Sequence, residues 1–509
     1  MAKKIILALI GVLLLVGSLA GLKVLQFQTM FAQGANFTPP PETVTTAEVT
    51  RDTWQPTLTA VGSIASVQGV MLSAEVAGTV KQIAFESGAN VRAGELLVEL
   101  DSGVEQARSS LARIENPSVS DADRTAFANG QRTFALDAYR ILAGRPGNVV
   151  YSPHSVQVAL AMTSAGARGT TASQMETALR FGLPQERLHA AFNALDRDLG
   201  QRAARPVEGT GQRFRLRSAN ALWGQRGYTF LAPFLDTLAQ HYGAGMNLVD
   251  FMGDADGARL RINRWVSDQT EARIPNLLPM GSVTPLTRLV LTNAVYFNAS
   301  WQTPFEASRT APAAFTGLDN ATRVVPMMNR SLETRYAEVD GVQAVELPYV
   351  GGDVSMLLVL PPAGRFTEVE QGLTAARFDA LVNGLQSHIV DLRVPTFSFR
   401  TQASLKMLLQ SLGMTDAFTA MADLSGINGA RDLYVQDVVH EGFIAVNEQG
   451  TEAAAATAVV VGTTSVPQPA TFHAVRPFLF ALRDNPTGTL LFVGRVVAPA
   501  VGAGRQAQR

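Results

Sequence analysis

The chain contains no cysteine among its 509 residues. That absence excludes disulfide bonds, a thiol nucleophile, cysteine-ligated metal sites and a lipid-modified N-terminal cysteine. Two common signatures of enzymes are also missing, since there is no Gly-x-Ser-x-Gly elbow and no phosphate-binding Walker loop. The six histidines do not fall at metal-ligand spacings. The sequence therefore predicts no catalytic residue, no metal site and no bound cofactor.

An excess of charge of either sign is absent as well, because the chain has 42 basic and 43 acidic residues. Balanced charge gives no electrostatic reason to expect nucleic acid as a partner. Apolar residues make up 47% of the chain, which is ample for a large buried core.

The N-terminus predicts passage of the chain to or across a membrane. Lys3 and Lys4 precede an unbroken apolar run of eighteen residues from Ile5 to Leu22. Such a run is long enough to span a membrane, and the leading lysines favour a cytoplasmic N-terminus. We predict a transmembrane anchor or signal over residues 1–26. The body would then be exported, either anchored in the inner membrane and facing the periplasm, or secreted if the segment is cleaved.

A second feature of the N-terminal region is a fragment rich in short strands. Residues 27–43 include Pro39 to Pro41 and predict a linker, whereas residues 44–108 alternate strand-like runs with glycines. This fragment resembles the first half of the lipoyl-like domain of periplasmic adaptor proteins from multidrug efflux pumps. The resemblance ends after a short helix predicted from Glu105 to Ile114, and residues 109–120 predict a second linker.

The stretch from Val446 to Val461 predicts a strand held outside the folded sheet. Four consecutive alanines in this stretch would also suit a helix. Read as a strand, however, it has one face that is small and uncharged, so it could enter between two existing strands without burying a charge. The residues of that face are Thr451, Ala453, Ala455, Thr457, Val459 and Val461.

The C-terminal region favours the strand. Residues 472–480 and 485–499 look like the closing signature of the serpins, and residues 448–457 resemble the hinge of an inhibitory serpin's reactive-centre loop. The resemblance covers residues 121–500 and leaves 501–509 as a flexible tail. It implies an α+β serpin fold with three β-sheets, about eight or nine helices and an exposed reactive-centre loop. It also implies a monomeric domain.

The resemblance implies roles for two sets of residues. The hinge consists of Glu448, Gly450, Thr451, Glu452, Ala453, Ala454, Ala455 and Ala456. A gate that controls the parting of the sheet strands consists of Ser152, Ser155, Asn293, His440 and, at the top of the sheet, Trp301. As an isolated residue, His440 is more often a hydrogen-bonded core histidine than a catalytic one, and the resemblance agrees with that interpretation.

The reactive bond can be located by counting in two directions. Counting from the hinge at the usual inhibitory spacing gives Thr464–Ser465, whereas counting back from the closing signature gives Val466–Pro467. A bond that precedes proline is a poor protease substrate, so we favour Thr464–Ser465. The neighbouring bonds at Gly462, Thr463 and Ser465 are alternatives.

The mechanism implied by the resemblance is suicide inhibition of a target serine protease. The small and β-branched residues 460–464 suit an elastase-like or subtilisin-like pocket. The cleaved loop would insert as a new strand and carry the attached protease about 50 Å, at roughly 3.3 Å for each residue. Two alternatives are a non-inhibitory serpin that acts as a binding module and a membrane-anchored remnant of an efflux adaptor.

Overall fold

The computed structural model describes residues 17–26, 28–29, 79–86, 88–92, 95, 97–101, 105–204, 214–451 and 469–499. The chain divides into one unit of residues 1–74 and a second unit of residues 75–509. Most of the predicted membrane segment Ile5–Leu22 lies outside the described residues, while residues 17–26 are helical and exposed. None of the helices in the described part of the chain is long and apolar enough to cross a membrane.

The second unit is built from two large mixed sheets and a separate hairpin. In chain order its strands are β1 (Thr79–Ile83), β2 (Val98–Asp101), β3 (Glu105–Ala107), β4 (Val149–Tyr151), β5 (Arg215–Gln225), β6 (Met246–Val249), β7 (Leu289–Ser300), β8 (Ala311–Thr316), β9 (Thr322–Val339), β10 (Val342–Pro348), β11 (Val354–Leu360), β12 (Gln386–Pro395), β13 (Phe397–Ser404), β14 (Val438–Asn447), β15 (Gly450–Thr451), β16 (Ala470–His473), β17 (Phe478–Asp484) and β18 (Leu490–Val496).

Seven of these strands form one sheet in the order β13-β14-β15-β7-β5-β6-β3. A nine-stranded sheet follows the order β16-β12-β9-β10-β11-β17-β18-β4, with β8 paired to β9. The sequence predicts three sheets for the serpin-like region. Among the described residues of that region, two large sheets are observed. The reason is that β9, with 18 residues, pairs with β12 along one stretch and with β10 along another, which joins two of the expected sheets into one.

The helices pack on both large sheets. They are α1 (Asp121–Leu142), α2 (Pro153–Ser164), α3 (Gly169–Ala178), α4 (Gln185–Ala204), α5 (Ala232–Thr237), α6 (Ala255–Gln269), α7 (Phe366–Gln371), α8 (Ala375–Asn383), α9 (Lys406–Ser411) and α10 (Ser425–Asn428). A π-helical turn, Leu238–Tyr242, continues α5. Four of these helices have six residues or fewer, and counting them gives slightly more than the eight or nine predicted.

The sequence of β7 explains its central place in the seven-stranded sheet. It reads Leu-Val-Leu-Thr-Asn-Ala-Val-Tyr-Phe-Asn-Ala-Ser, and its first nine residues are all buried, as expected for a strand covered on both faces. Leu291, Val295 and Phe297 belong to the main core between the sheets. Val290 and Ala294 belong to a second cluster with residues of α6 on the opposite face.

The region before α1 departs from the sequence-based prediction. The helix predicted from Glu105 to Ile114 is wrong, because Glu105–Ala107 form strand β3 and pair antiparallel with β6, and residues 108–114 form no helix. The pairing supplies partners for backbone groups at a sheet edge, and such tertiary pairing outweighs weak local helix propensity. Within residues 44–108, β1 and β2 pair with each other, while much of the remaining fragment lies outside the described residues, so the half lipoyl-like fold stays a prediction.

Candidate functional site

The seven-stranded sheet is forked at one end, where β15 lies between β14 and β7. Gly450 and Thr451 pair antiparallel with Ser300 and Ala299 of β7, and they also pair with the end of β14. Further along, β14 and β7 pair directly, from Val438–Gly442 to Leu291–Val295. Gly450 and Thr451 of the predicted hinge are therefore already part of the sheet, whereas Glu448 lies in the turn that precedes β15.

Gly450 is required by the close approach of β7. Its φ angle is 155°, and a Cβ atom at this position would lie 2.1 Å from the carbonyl oxygen of Ala299. Any larger residue would push β15 away from the strand that it pairs with.

Thr451 is fully buried at the tip of the fork, with 0% of its surface exposed. Its hydroxyl lies 2.7 Å from the hydroxyl of Tyr349. Trp301 stacks on Tyr349 with ring centroids 4.5 Å apart, and its indole N–H donates to the carbonyl of Asn447 at 3.0 Å. Trp301 therefore contacts both the end of β14 and the aromatic ring that covers the start of the loop.

The backbone of Glu448 and Gln449 is held by the same region. The backbone N–H of Trp301 donates to the carbonyl of Gln449 at 2.9 Å, and the backbone N–H of Phe305 donates to the carbonyl of Glu448 at 2.8 Å. These bonds fix the turn from β14 into β15.

A buried polar cluster lies where β14 and β7 pair directly. His440 of β14 is opposite Asn293 of β7, and its Nδ1 is hydrogen-bonded to the side-chain oxygen of Asn293. The Asn293 amide donates to the hydroxyl of Ser155 at 2.7 Å. The backbone N–H of Ser152 donates to Nε2 of His440 at 3.1 Å. The sequence-predicted residues Ser152, Ser155, Asn293 and His440 are thus brought together.

The hydrogen bonds determine the protonation of His440. Nε2 accepts from a backbone N–H, so the proton of the neutral ring lies on Nδ1 and is donated to Asn293. Burial lowers the pKa of His440 to about 3, so the ring is neutral at ordinary pH. Among the described residues, the hydrogen-bonding partners of His440 are the Asn293 amide and the backbone N–H of Ser152, and neither is a hydroxyl that the ring could activate. The cluster can link α2, β7 and β14, but it has no arrangement for nucleophilic catalysis.

Two residues of the site were missed by sequence reasoning. Asn220 of β5 accepts from both Ser155, at 2.6 Å, and Asn293, at 2.7 Å. Tyr349 covers Thr451. Both residues lie within residues 121–500, the region that resembles serpins, but nothing in the sequence around either of them indicates which strands meet. Glu452, Ala453, Ala454, Ala455, Ala456, Thr464 and Ser465 lie outside the described residues.

Comparison with known proteins matches the chain to one family. The family model described as "Serpin (serine protease inhibitor)" matches residues 129–499. An uncharacterised serpin-like protein of Thermococcus kodakarensis is 39% identical over 77% of this chain and 91% of its own length. The leukocyte elastase inhibitor of Sus scrofa is 37% identical over 72% of this chain and 97% of its own length. The match begins at residue 129, so the resemblance of residues 44–108 to efflux adaptors remains a prediction.

Solved structures match the same part of the chain. The thermophilic serpin tengpin in its native state superposes with a TM-score of 0.69 and 27% identity, covering 78% of this chain and 99% of tengpin. Uncleaved ovalbumin superposes with a TM-score of 0.65 and 26% identity, covering 74% of this chain and 100% of ovalbumin.

Proposed function

The chain belongs to the serpin family of serine protease inhibitors, and from this premise we propose that it traps its target protease by inserting its cleaved loop between β14 and β7. The observation that carries the proposal is the position of β15. Gly450 and Thr451 already occupy the first two places of the strand that insertion would complete. The protein is a protease inhibitor and not a catalytic enzyme.

The antiparallel register of β15 predicts how far insertion would extend. If the pairing of Thr451 with Ala299 continues along β7, residues 452–461 lie opposite residues 298–289, and Val461 reaches the first residue of that strand. Ala453, Ala455 and Val459 would then lie opposite Phe297, Val295 and Leu291, which face the main core. The small, uncharged face predicted from the sequence is the face that would be buried.

The chemical step belongs to the protease. Its serine hydroxyl attacks the carbonyl carbon of Thr464, an ester forms, the Thr464–Ser465 peptide bond breaks, and the new amine of Ser465 takes the proton. Insertion then moves the attached protease to the opposite end of β7, where distortion of its oxyanion hole stops hydrolysis of the ester.

We propose a target protease that accepts small residues. Residues 460–464 are Val, Val, Gly, Thr and Thr, none of which fits a pocket built for arginine or lysine. The relatives named leukocyte elastase inhibitor support an elastase-like target.

Export of the chain is proposed on the N-terminal lysines and apolar run, and cell fractionation with N-terminal sequencing tests it.

Incubation of the full chain with an elastase-type serine protease tests the mechanism. We expect a covalent complex that survives denaturing electrophoresis and a new N-terminus at Ser465. A protease whose active-site serine is replaced by alanine serves as the control and should give no complex. A new terminus at Pro467 would instead favour the Val466–Pro467 bond. Clean cleavage without a complex by proteases of this specificity would contradict inhibition and favour a non-inhibitory serpin.

A further inference from the structure

The segment from Glu105 to Glu115 connects the edge of the seven-stranded sheet to helix α4. At one end, β3 pairs with β6 from Glu105 opposite Leu248 to Ala107 opposite Met246. The side chain of Gln106 donates to that of Asn247, which is buried. This segment thereby becomes the outermost strand of the sheet that would have to widen.

The other end of the segment is bonded to α4 by polar contacts. Arg113 donates from Nε to the side-chain oxygen of Asn193 at 2.9 Å and from its terminal nitrogen to Asp196 at 2.7 Å. Asn193 is fully buried and returns a hydrogen bond to the carbonyl of Ile114 at 2.9 Å. Glu115 forms an ion pair with Arg197.

Between these two ends the segment also contacts the short helix and the π-helical turn. The hydroxyl of Ser109 donates to Asp236 of α5 at 2.5 Å. The N–H of Ile114 donates to the carbonyl of Gln240 at 2.9 Å.

Insertion of a strand would separate the two structures that this segment joins. The β13–β14 half of the sheet is fixed to the nine-stranded sheet, because the ring of Phe397 contacts those of Phe478 and Phe480, and Thr401 accepts a hydrogen bond from Val150. A new strand between β14 and β7 therefore displaces the β7–β5–β6 half by about 4.8 Å.

Helix α4 is attached to the nine-stranded sheet, which stays in place when the β7–β5–β6 half is displaced. It packs on α1 through an edge-to-face contact of Phe127 with Phe192, with ring centroids 4.7 Å apart, and through an ion pair of Asp123 with Arg187 at 2.7 Å. In turn, α1 packs against β18 of the nine-stranded sheet, where Arg495 donates to the carbonyl of Ala143. A displacement of several ångströms between β6 and α4 pulls on residues 108–112, which connect β3 to Arg113, and so strains the hydrogen bonds between Arg113 and α4.

We propose that residues 105–115, here named the clamp segment, raise the barrier to widening of the sheet and so preserve the state in which the loop has not inserted. This inference rests on the proposed insertion mechanism. Breaking the contacts of Arg113 removes one of the bonds that insertion must otherwise break, so the intact, uncleaved loop inserts sooner. The protein then loses inhibitory activity without being cleaved.

Replacement of Arg113 tests the proposal in the full-length protein. Arg113→Met keeps the length of the side chain and removes its bonds to Asn193 and Asp196. During incubation at a fixed elevated temperature, we expect Arg113→Met to convert roughly three- to thirtyfold faster than wild type into an uncleaved, inactive form that is more heat-stable. Arg215→Met is the matched control, because Arg215 pairs with Glu271 on the exposed surface of the moving half and does not contact α4.

A charge exchange provides a second test. Glu115→Arg should accelerate conversion about two- to fivefold, a smaller effect because the pair with Arg197 is partly exposed. Adding Arg197→Glu restores the opposite charges and should return the rate to that of wild type.

Conversion of Arg113→Met at the wild-type rate would overturn the proposal. Conversion to a product of lower heat stability would also overturn it, because the clamp segment would then merely support the fold. The heat-stability measurement uses no protease, so these outcomes are distinct from a failure of wild type to form a covalent complex, which would instead refute the proposed function.

Discussion

His440 joins the two strands that insertion would separate. It connects β14 to Asn293 of β7 and to the N-terminus of α2, where Ser152 caps the helix with its hydroxyl. Because the pKa of the folded imidazole is about 3 and that of an unfolded histidine is near 6.5, the unfolded chain takes up the proton first as pH falls. Folding therefore loses stability between pH 6.5 and 3 through this group.

This linkage predicts a pH-dependent difference between wild type and His440→Gln. The free energy of unfolding of wild type should fall by up to roughly 1.4 kcal/mol for each pH unit below 6.5 on account of His440 alone. Glutamine does not titrate, so the urea midpoints of the two proteins should converge as pH falls from 7.5 to 4.5. His154 and His189, whose pKa values burial also lowers, contribute equally to both proteins and cancel in the comparison. Parallel curves would contradict this role for His440.

Thr451 occupies a place where no charge can be accommodated. It is fully buried, and its hydroxyl lies against that of Tyr349. We predict that Thr451→Arg leaves cleavage of the reactive bond intact but changes the protein from inhibitor to substrate, since burying an unpaired guanidinium costs several kcal/mol. The measurement is the number of inhibitor molecules consumed for each protease trapped, which should rise tenfold or more.

Thr451→Val is the matched control for this prediction. It keeps the shape of the side chain and removes only the hydroxyl, so inhibition should change little. Full inhibitory strength in Thr451→Arg would show that insertion does not proceed through this position.

At the scale of the element, β7 would provide the template for the strand that we propose inserts. Residues 289–298 of β7 and residues 452–461 of the loop are segments of equal length. The register of β15, if continued, pairs them along their whole length. In that alignment Thr457 would lie opposite Asn293, the residue that His440 holds before the strands separate. The hydroxyl of Thr457 could then replace His440 as a hydrogen-bonding partner.

Substitution of Thr457 tests this alignment. Thr457→Asp places a carboxylate beneath the sheet next to Asn293, so we expect slower insertion and more cleaved, unproductive inhibitor for each protease trapped. Thr457→Ser retains the hydroxyl and should behave as wild type. Equal efficiencies of Thr457→Asp and wild type would mean that the register of β15 does not continue to this residue.

At the scale of the whole molecule, the fork between β14 and β7 leaves one strand of the sheet incomplete. Of the residues that the structure describes, Gly450 and Thr451 lie in this strand. Completing the strand would add backbone hydrogen bonds along about ten residues, each contributing on the order of 1 kcal/mol. If the proposed insertion occurs, we therefore expect the uncleaved protein to be less stable than the cleaved and inserted form.

Cleavage of the reactive loop should consequently make the molecule more resistant to heat. We expect the midpoint of thermal unfolding to rise by roughly 10–20 °C after cleavage at Thr464–Ser465, as measured by circular dichroism. Cleaved Thr451→Arg should lack this gain and serves as the comparison. An unchanged midpoint in cleaved wild type would mean that the loop does not insert.

The gate residues illustrate how far sequence reasoning reaches. His440, Asn293, Ser152 and Ser155 are assigned together through the resemblance to serpins, and the structure places them in one hydrogen-bonded cluster. Asn220 was missed because a single asparagine in a strand gives no sign of what it will contact. Its partner Asn293 is 73 residues away along the chain.

The structure of the clamp segment, in contrast to that of the gate residues, was not predicted from the sequence. Local propensity predicts a helix from Glu105, yet three residues of strand form there because the edge of β6 is available for pairing. The contacts of Arg113 with α4 span about 80 residues of sequence. No periodicity within the segment indicates either partner.

The sequence by itself determined the family, the absence of cysteine, and the small, uncharged residues at alternate positions of the loop, because these depend on residue identity and local order. Only the tertiary structure decided that Gly450 and Thr451 already lie in the sheet, that Asn220 and Tyr349 join the site, and that residues 105–115 bind the sheet edge to α4. Such contacts depend on which distant strands become neighbours, and that arrangement is fixed by packing of the whole chain.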